Sequence, residues 1–415
     1  MNKLKNKFIK FFQEKIGPGI ITGASDDDPS GIVTYSIAGA KGGLDFIWTP
    51  IFTLPLMYYV QESCARIALV TKKGLIFLIK KFYGIKIAIL IVILMFFANT
   101  FNLAADINAL GMVLNYIFPY VPVGFYSLIV SILMSFIIIA FPYKLFAKFM
   151  KFLVIFLFSY LFLIFVIDVN WVQVIERIIL PEIKLTKDWL LILIAILGTT
   201  ISPYLFFWQE EEELEEFREE KKIDLKKSLF LAKIDTLLGM FISNLIMFFI
   251  ILTTGLVLNP LGIYNIETMN ELVKVLEPLL GKYSFLFFSL GIIGSGLIAI
   301  PVLAGSSAYI LAEIFNLPAT LDKRFKEAIP FYSFIIFSIL LSNIFNLLGL
   351  SPIKLLFYTA VIYGFLSPLL IFFVLRLSNN QNIMGQYKNT NINNIFLVLT
   401  FLIMTASVFF FLFYS

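Results

Sequence analysis

Oxygen-bearing side chains occur at two places in this sequence where an apolar helix is expected to break. The first is 26–30, Asp-Asp-Asp-Pro-Ser, and the second is 199–203, Thr-Thr-Ile-Ser-Pro; each lies inside an otherwise apolar segment. Carboxylates, hydroxyls and unwound backbone carbonyls are the ligands that hard divalent cations such as Mg²⁺ and Mn²⁺ prefer. The residue types and their placement therefore indicate a binding site for a hard cation.

Asp28 is the principal candidate ligand at the first break. Proline has no backbone N–H and disfavours a helical residue before it, so one helix should end before Pro29 and another begin there. The unwound backbone from Ser25 onward would add carbonyl oxygens to the site. Because Asp before Pro-Ser is also a favourable helix start, Asp28 is equally suited to cap the second half-helix, and both roles are compatible.

Three further carboxylates are candidate vestibule or proton-relay groups. Asp26 and Asp27 adjoin Asp28, and three neighbouring carboxylates cannot all face one pocket in the charged state. The alternative for both is a solvated or paired group. Asp106 lies in the middle of the third apolar segment, one turn after Asn102. A carboxylate at membrane depth is costly and usually functional, although a structural pair with a polar neighbour is the alternative.

The second break offers hydroxyls and freed carbonyls from Thr199, Thr200 and Ser202. These groups can ligate an ion or its water shell. Small hydroxyl residues also satisfy the backbone groups that a helix break releases, so both interpretations stay open for the side chains. We expect the carbonyls to take part in the site.

Composition narrows the class of protein. The chain has 415 residues, 60% of them hydrophobic, and a mean hydropathy of +0.93, far outside the range of soluble proteins. It has no histidine and a single cysteine, Cys64, which excludes histidine metal ligands, histidine proton relays and an intrachain disulfide. No nucleotide loop or nucleophile motif is present, and the net charge of +5 needs no nucleic-acid partner. We therefore expect neither an enzyme nor a resident cofactor.

The apolar runs predict an all-α integral membrane protein with about eleven spans. Their approximate bounds are 17–42, 46–70, 86–116, 122–141, 148–168, 188–212, 228–255, 284–314, 328–348, 352–376 and 393–413. The first and sixth spans are the broken ones, and breaks at corresponding places in two halves are typical of an inverted-repeat transporter with its substrate between them. We expect a single transport domain over 1–415, divided into a cytoplasmic basic arm, a first repeat, a second repeat and an extra helix, at 1–16, 17–168, 188–376 and 393–413.

The distribution of lysine and arginine predicts the orientation in the membrane. With the N-terminus inside, the inner segments hold about 25 of the 32 basic residues, as the positive-inside rule requires. An odd number of spans then places the C-terminus outside. We therefore expect a multi-pass protein of the plasma or inner membrane, with a cytoplasmic N-terminus and an extracytoplasmic C-terminus.

Other charged residues are expected to be structural. Glu62 and Arg66 are four residues apart and should form an ion pair near the inner face. Asp235, nearer the inner end of the seventh span, is expected to be structural or to act in gating. The acidic run 209–216 ends the sixth span and is expected to be a solvated helix end, with the inner exit of a cation path as the alternative.

The order of several motifs resembles the Nramp (natural resistance-associated macrophage protein) divalent metal transporters over nearly the whole chain. The similar motifs are Gly17-Pro18-Gly19 with Asp28-Pro29-Ser30-Gly31, Gln61 with Ala65-Arg66 and Val70-Thr71-Lys72-Lys73-Gly74, Asn102-Leu103-Ala104, and Leu303-Ala304-Gly305-Ser306-Ser307. The resemblance implies a LeuT-like fold of the APC superfamily, an inverted repeat of five plus five helices with helices 1 and 6 broken. It also implies cation transport by alternating access.

Two departures from the family pattern concern the metal ligands. The usual first-helix motif is Asp-Pro-Gly-Asn, and Gly31 stands where its asparagine would ligate. The usual sixth-helix motif has a methionine and then Pro-His, where this chain has Ser-Pro-Tyr at 202–204. Loss of the thioether weakens the preference for softer transition metals. The resemblance implies that Asp28 and the Thr199 carbonyl are ligands, whereas the asparagine and methionine ligands do not carry over. The metal-site residues that we expect are Asp28, Thr199, Ser202, Gly31 and Ser25.

These replacements are similar to the Nramp-related magnesium transporter branch, which implies transport of Mg²⁺ and Mn²⁺ without proton coupling. We expect uptake of divalent metal ions, Mg²⁺ first and Mn²⁺ second, by a monomer that works in the lipid bilayer without an obligate protein partner. The alternatives are a proton-coupled Mn²⁺/Fe²⁺ symporter of the ordinary Nramp type and a Na⁺-coupled organic-solute carrier of the same fold. A membrane-embedded enzyme and a channel are alternatives from other classes.

Overall fold

The computed structural model describes residues 17–141, 159–219, 224–321, 325–348 and 351–413. All regular secondary structure in these ranges is helical. The predicted basic arm at 1–16 and most of the predicted fifth span at 148–168 lie outside the described residues.

The helices of the first half follow the predicted spans closely. They are α1 (Pro18–Asp26), α2 (Pro29–Gly42), α3 (Thr49–Thr71), α4 (Leu75–Tyr83), α5 (Ile85–Ile117), α6 (Val123–Ala140) and the single turn α7 (Ser159–Phe162). Helices α1 and α2 are the two halves of the first span, and α3, α5 and α6 are the second, third and fourth. Helix α4 is a short connecting helix between the second and third spans.

The helices of the second half also agree with the predicted spans. They are α8 (Trp171–Ile179), α9 (Lys187–Thr200), α10 (Pro203–Glu219), α11 (Leu225–Val257), α12 (Met269–Lys274), α13 (Glu277–Leu280), α14 (Ser284–Phe315), α15 (Ile329–Ser342), α16 (Pro352–Ser378), α17 (Gln381–Met384) and α18 (Asn391–Phe413). Short 3₁₀ segments lie at Leu163–Phe165, Gly281–Tyr283, Phe325–Glu327, Asn343–Leu348 and Gly385–Tyr387.

Seven helical stretches in the described ranges are long and apolar enough to cross a membrane. They are Ile85–Ile117, Val123–Ala140, Lys187–Arg218, Leu225–Val257, Gly281–Phe315, Pro352–Ser378 and Asn391–Phe413. The broken pair α1 and α2 is packed inside this bundle, because α2 is buried over nearly its whole length. A helix that is buried on all sides in such a bundle faces protein rather than lipid.

The first break lies where the sequence predicts it. Helix α1 ends at Asp26, and Asp27 leaves the helical conformation with φ −86° and ψ 46°. Asp28 is extended, with φ −65° and ψ 170°, and α2 begins at Pro29. Proline suits this first helical position because its missing N–H would have no partner there.

The second break has the same local cause. Helix α9 ends at Thr200, Ile201 adopts φ −113° and ψ 57°, and α10 begins at Pro203. The Ser202 hydroxyl donates to the carbonyl of Thr199 at 2.6 Å and lies 3.0 Å from that of Gly198. The serine therefore satisfies backbone groups that the break releases.

Glycines bring the broken helices close to their neighbours. Helix α1 packs against α11 and α9 packs against α16. A Cβ at Gly23 would collide with the backbone of Gly239, and one at Gly198 would collide with the backbone of Ala360. Both half-helices that lead into the breaks are thus held by backbone-to-backbone contact, which only glycine permits.

The prediction that the acidic run 209–216 is a solvated helix end is wrong. Glu210 is fully buried, and Glu211, Glu213 and Glu215 are each at most 6% exposed. Both oxygens of Glu210 accept from the backbone N–H of Leu75 at 2.9 Å. The run is buried because another part of the chain, the start of α4, supplies backbone donors to it.

The predicted ion pair in α3 is present. Arg66 Nε lies 3.0 Å from Glu62 Oε1, and both side chains are buried. The guanidinium also donates to Asn389 Oδ1 at 2.7 Å, and Asn393 donates to Glu62 Oε2 at 3.0 Å. The pair therefore anchors α3 to the segment that leads into α18.

Candidate functional site

Asp28 caps α2 and also reaches across to α5. Its Oδ1 accepts from the Ser30 hydroxyl at 2.6 Å and from the Gly31 N–H at 2.7 Å. Its Oδ2 accepts from Asn102 Nδ2 on α5 at 3.0 Å. An ionised carboxylate has about four acceptor positions, so Asp28 can still take a further cation contact beside these three donors.

Asp106 is the most conspicuous polar group of the site. It is fully buried, and neither of its carboxylate oxygens has a hydrogen-bond partner. Asn102, one turn earlier on the same face of α5, has an unpartnered Oδ1 although its Nδ2 binds Asp28. Burying carboxylate and amide oxygens without a partner costs free energy unless a cation or a proton binds to them.

Gly31 marks the point where the two breaks meet. A Cβ at this position would lie 3.1 Å from the Asp26 carbonyl oxygen and 3.4 Å from Thr199 Oγ1. Gly31 therefore lies in close contact with the first break and the second, next to the Asp28 cap. The structure thus places Asp28, Gly31 and Thr199 next to one another.

Ser25 and Ser202 have local partners. The Ser25 hydroxyl donates to the Ile21 carbonyl at 2.9 Å, and its own carbonyl accepts from the Tyr204 hydroxyl at 2.7 Å. The Ser202 hydroxyl donates to the Thr199 carbonyl, as described above. Each of these carbonyl oxygens keeps a second lone pair for an ion.

Asp26 and Asp27 face a different helix from Asp28. The Ser243 hydroxyl on α11 lies 2.7 Å from Asp26 Oδ2 and 3.4 Å from Asp27 Oδ1. Asp26 Oδ1 and Asp27 Oδ2 are buried without a partner. The sequence singles out both carboxylates but gives no signal for Ser243, which lies more than 200 residues away along the chain.

Tyrosines close the chamber around the site. Tyr204 and Tyr363 have ring centroids 5.5 Å apart, and Tyr363 donates to Asn99 Oδ1 at 2.8 Å. Asp28 and Thr199 are at most 2% exposed. The site is therefore occluded from solvent in this conformation.

Asn102 is the site residue that sequence reasoning undervalued. It appears there as a neighbour of Asp106 and in a motif shared with the family but not as a ligand, although its spacing of four residues places both on one helix face. No ion pair of the described residues involves the aspartates of the chamber. The site thus combines carboxylates and neutral oxygen ligands that are buried from solvent. These properties suit a cation that binds reversibly.

Comparison with known proteins identifies the family of this chain. A family model described as natural resistance-associated macrophage protein-like (Nramp) matches residues 19–414. The divalent metal cation transporter MntH of Caldanaerobacter subterraneus subsp. tengcongensis is 24% identical over 405 residues, covering 94% of this chain and 90% of the relative. MntH of Erwinia tasmaniensis is 21% identical over 404 residues, covering 93% and 90%.

Solved structures with the same fold include the Eremococcus coleocola manganese transporter in complex with an aromatic bis-isothiourea compound. Its TM-score is 0.74 at 16% sequence identity, with 96% of this chain and 86% of that chain covered. The inward-facing conformation of Mhp1 gives a TM-score of 0.52 at 12% identity, with 94% and 90% covered. These similarities confirm the predicted all-helical, LeuT-like fold with two broken helices.

The fold and the occluded site between two broken helices define a multi-pass membrane transporter rather than an enzyme. Because the family model matches nearly the whole chain, the chain belongs to the Nramp family.

Proposed function

We propose that this chain carries divalent metal cations into the cell, Mg²⁺ first and Mn²⁺ second, by alternating access and without proton coupling. One observation carries the proposal: Asp28 contacts both Asn102, one turn before the unpartnered Asp106 carboxylate, and Gly31, which lies beside Thr199, so that oxygen atoms of both breaks and of α5 are buried near one another. Hard divalent cations prefer such donors.

The small residues at the site favour a partly hydrated ion. Gly31 offers no side-chain ligand, although it lies close to the Asp26 carbonyl and Thr199 Oγ1. Mg²⁺ loses its water reluctantly and is usually held by one or two carboxylates with several waters. A site with few side-chain ligands, all of them oxygen atoms, therefore supports Mg²⁺ ahead of ions that need more or softer ligands.

A thioether lies near the second break. Met247 Sδ on α11 is 3.8 Å from Thr200 Oγ1, and the same hydroxyl donates to the Ile196 carbonyl at 2.6 Å. The neighbouring Thr199 hydroxyl is the one near Gly31. We therefore assign Met247 to packing and leave it out of the ligand set.

Uptake needs no coupling ion in this proposal. With the N-terminus inside, as the basic residues predict, a membrane potential of −100 mV favours entry of a divalent cation by about 4.6 kcal/mol. Rocking of the two repeats about the fixed site would expose it to each side in turn. We place the protein in the plasma or inner membrane as a monomer.

The test is uptake by the purified protein in proteoliposomes. Mg²⁺, Mn²⁺ and Ca²⁺ are offered separately, with an interior pH dye in parallel. Asp28→Ala should abolish uptake, whereas Asp45→Asn, which removes a carboxylate outside the site that pairs with Lys184 at 2.7 Å, should leave it unchanged. We expect saturable uptake of Mg²⁺ and Mn²⁺ without acidification.

Mn²⁺ uptake with acidification and no Mg²⁺ uptake would instead support the proton-coupled symporter. Na⁺-dependent uptake of an organic solute without any metal uptake would support the solute carrier. Metal uptake that is the same in Asp28→Ala would contradict the site.

A further inference from the structure

We propose that Asp26, Asp27 and Ser243 form a second cation position beside that of Asp28, and that it takes a small, hard divalent cation. The proposal rests on the proposed function only for the class of ion, since the same oxygen chemistry is found at both positions.

The second position is built by two elements. Asp26 ends α1 and Asp27 follows it, whereas Ser243 lies in the middle of α11. All three residues have no exposed surface. The Ser243 hydroxyl lies within hydrogen-bond distance of both carboxylates, at 2.7 and 3.4 Å, so it holds them on one side of the break.

The position is separate from the Asp28 site because the two sets of groups share no hydrogen-bond partner. The Asp28 carboxylate is directed to the start of α2 and to Asn102 on α5. The Asp26 and Asp27 carboxylates are directed to α11. Asp26 joins the two positions, since its carbonyl oxygen faces Gly31 while its carboxylate faces Ser243.

Hydrogen-bond capacity shows that the second position is incomplete. A hydroxyl has one proton and can donate to only one carboxylate at a time. Asp26 Oδ1 and Asp27 Oδ2 have no partner at all. Two buried carboxylates that share one donor carry negative charge without a compensating positive charge. A single divalent cation neutralises both carboxylates.

Bulk solvent does not reach Asp26 and Asp27, which have no exposed surface. One helical turn before Asp26, α1 meets α11 through Gly23 and Gly239, where no side chain separates the two backbones. An unsatisfied carboxylate in such a contact cannot rely on bulk solvent. Two carboxylate oxygens, a hydroxyl and nearby backbone carbonyls are the ligand types of Mg²⁺ and Mn²⁺ sites.

Counting bound Mn²⁺ tests the proposal. The purified full-length protein is dialysed to equilibrium against Mn²⁺ in a buffer free of alkali metal ions, and bound metal is measured by mass spectrometry. We expect about two Mn²⁺ per chain in the wild type and about one in Asp26→Asn/Asp27→Asn. Electron paramagnetic resonance of the wild type should show dipolar broadening between the two ions, and the double variant should lose it.

Two further variants guard against misfolding. Ser243→Ala should weaken the second ion about tenfold, because one ligand of the position is lost, and leave the affinity for the first ion unchanged. Thr253→Val is the matched control, because its hydroxyl lies on the same helix and donates only to its own helix backbone. It should bind both ions as the wild type does.

One Mn²⁺ per wild-type chain would overturn the proposal, as would two ions that persist in the double variant. Displacement of one ion by Na⁺ at equal concentration would overturn the divalent assignment. Failure of the proposed function has a different signature, since it appears as absent metal uptake in proteoliposomes whatever the number of bound ions.

Discussion

Asp235 Oδ2 on α11 accepts a hydrogen bond from the backbone N–H of Gly19 in the first turn of α1, at 2.5 Å. Its Oδ1 accepts from the Gly17 N–H at 3.0 Å. A carboxylate at a helix N-terminus satisfies donors that have no partner within the helix and complements the helix dipole. Asp235 therefore fixes the start of the first half-helix to α11, at the end of the helix opposite to Asp26 and Asp27.

Asp235→Ala should lower the free energy of unfolding by about 1–3 kcal/mol, because buried backbone N–H groups lose their acceptor. Thermal unfolding of the purified protein in detergent measures the effect. Asp224→Ala is the matched control, since Asp224 precedes the same helix and makes no side-chain capping bond. Equal shifts in the two variants would contradict the capping role.

A second pair of contacts ties α4 to the bundle. Glu210 on α10 accepts from the Leu75 N–H, and Glu313 on α14 accepts from the Ile76 N–H at 3.1 Å. Two helices from the second half of the chain thus hold the start of α4. These contacts fasten α4 to the bundle at the end of the molecule that the basic residues predict to be the inner one.

Glu210→Ala should open this end, and the native cysteine can report it. Cys64 on α3 is the single cysteine of the chain and is fully buried. If the closed conformation loses about 1.5 kcal/mol of stability relative to the open one, the population of the open conformation should rise about tenfold. The rate at which N-ethylmaleimide labels the Cys64 thiol should rise by the same factor. Glu176→Ala, which changes an exposed residue of α8, should label at the wild-type rate. An unchanged labelling rate in Glu210→Ala would contradict the role of Glu210 in holding the start of α4.

Both helix breaks could be predicted because their cause is local. Pro29 and Pro203 act on the residues beside them, and the polar residues there are visible in the sequence. The partners of the buried carboxylates could not be predicted in this way. Leu75 is 135 residues from Glu210, and Ser243 is 217 residues from Asp26.

The acidic run 209–216 shows why composition gave a wrong prediction of solvent exposure there. Successive glutamates usually indicate a solvated helix, because a buried charge needs compensation. The compensating groups of Glu210 and Glu313 are backbone N–H groups at the start of α4, and every non-proline residue carries such a group. Because almost every residue has this donor, the sequence does not show which backbone N–H will pair with which carboxylate. The burial of these glutamates is therefore visible only in the fold.

Gly198→Ala should destabilise the protein, because the new Cβ would collide with the backbone of Ala360 on α16. Overpacking of this kind costs about 1–3 kcal/mol. Gly296→Ala is the control: its Cβ would approach the flexible side chain of Leu110 at 3.2 Å, and the gain in helix propensity offsets the strain. Thermal unfolding should separate the two variants, and equal midpoints would contradict the proposed close packing of α9 on α16.

Gly31→Asn should change metal selectivity. The new Cβ would lie 3.1 Å from the Asp26 carbonyl oxygen and 3.4 Å from Thr199 Oγ1, which a shift of a few tenths of an ångström accommodates. The amide would add an oxygen ligand in place of a water molecule on the ion. Because Mg²⁺ retains water more strongly than its competitors, the ratio of Mn²⁺ to Mg²⁺ uptake should rise about tenfold, or about 1.4 kcal/mol.

The controls separate ligation from bulk and from the nearby thioether. Gly31→Ala adds a Cβ without an amide and should change the uptake ratio much less than Gly31→Asn. Met247→Leu removes the sulfur near Thr200 at similar volume and should leave the ratio unchanged, because we assign its Sδ, 3.8 Å from Thr200 Oγ1, to packing. A fall in Mn²⁺ uptake in Met247→Leu would show instead that the thioether is a ligand, and the chamber would then be a softer site than its oxygen donors indicate.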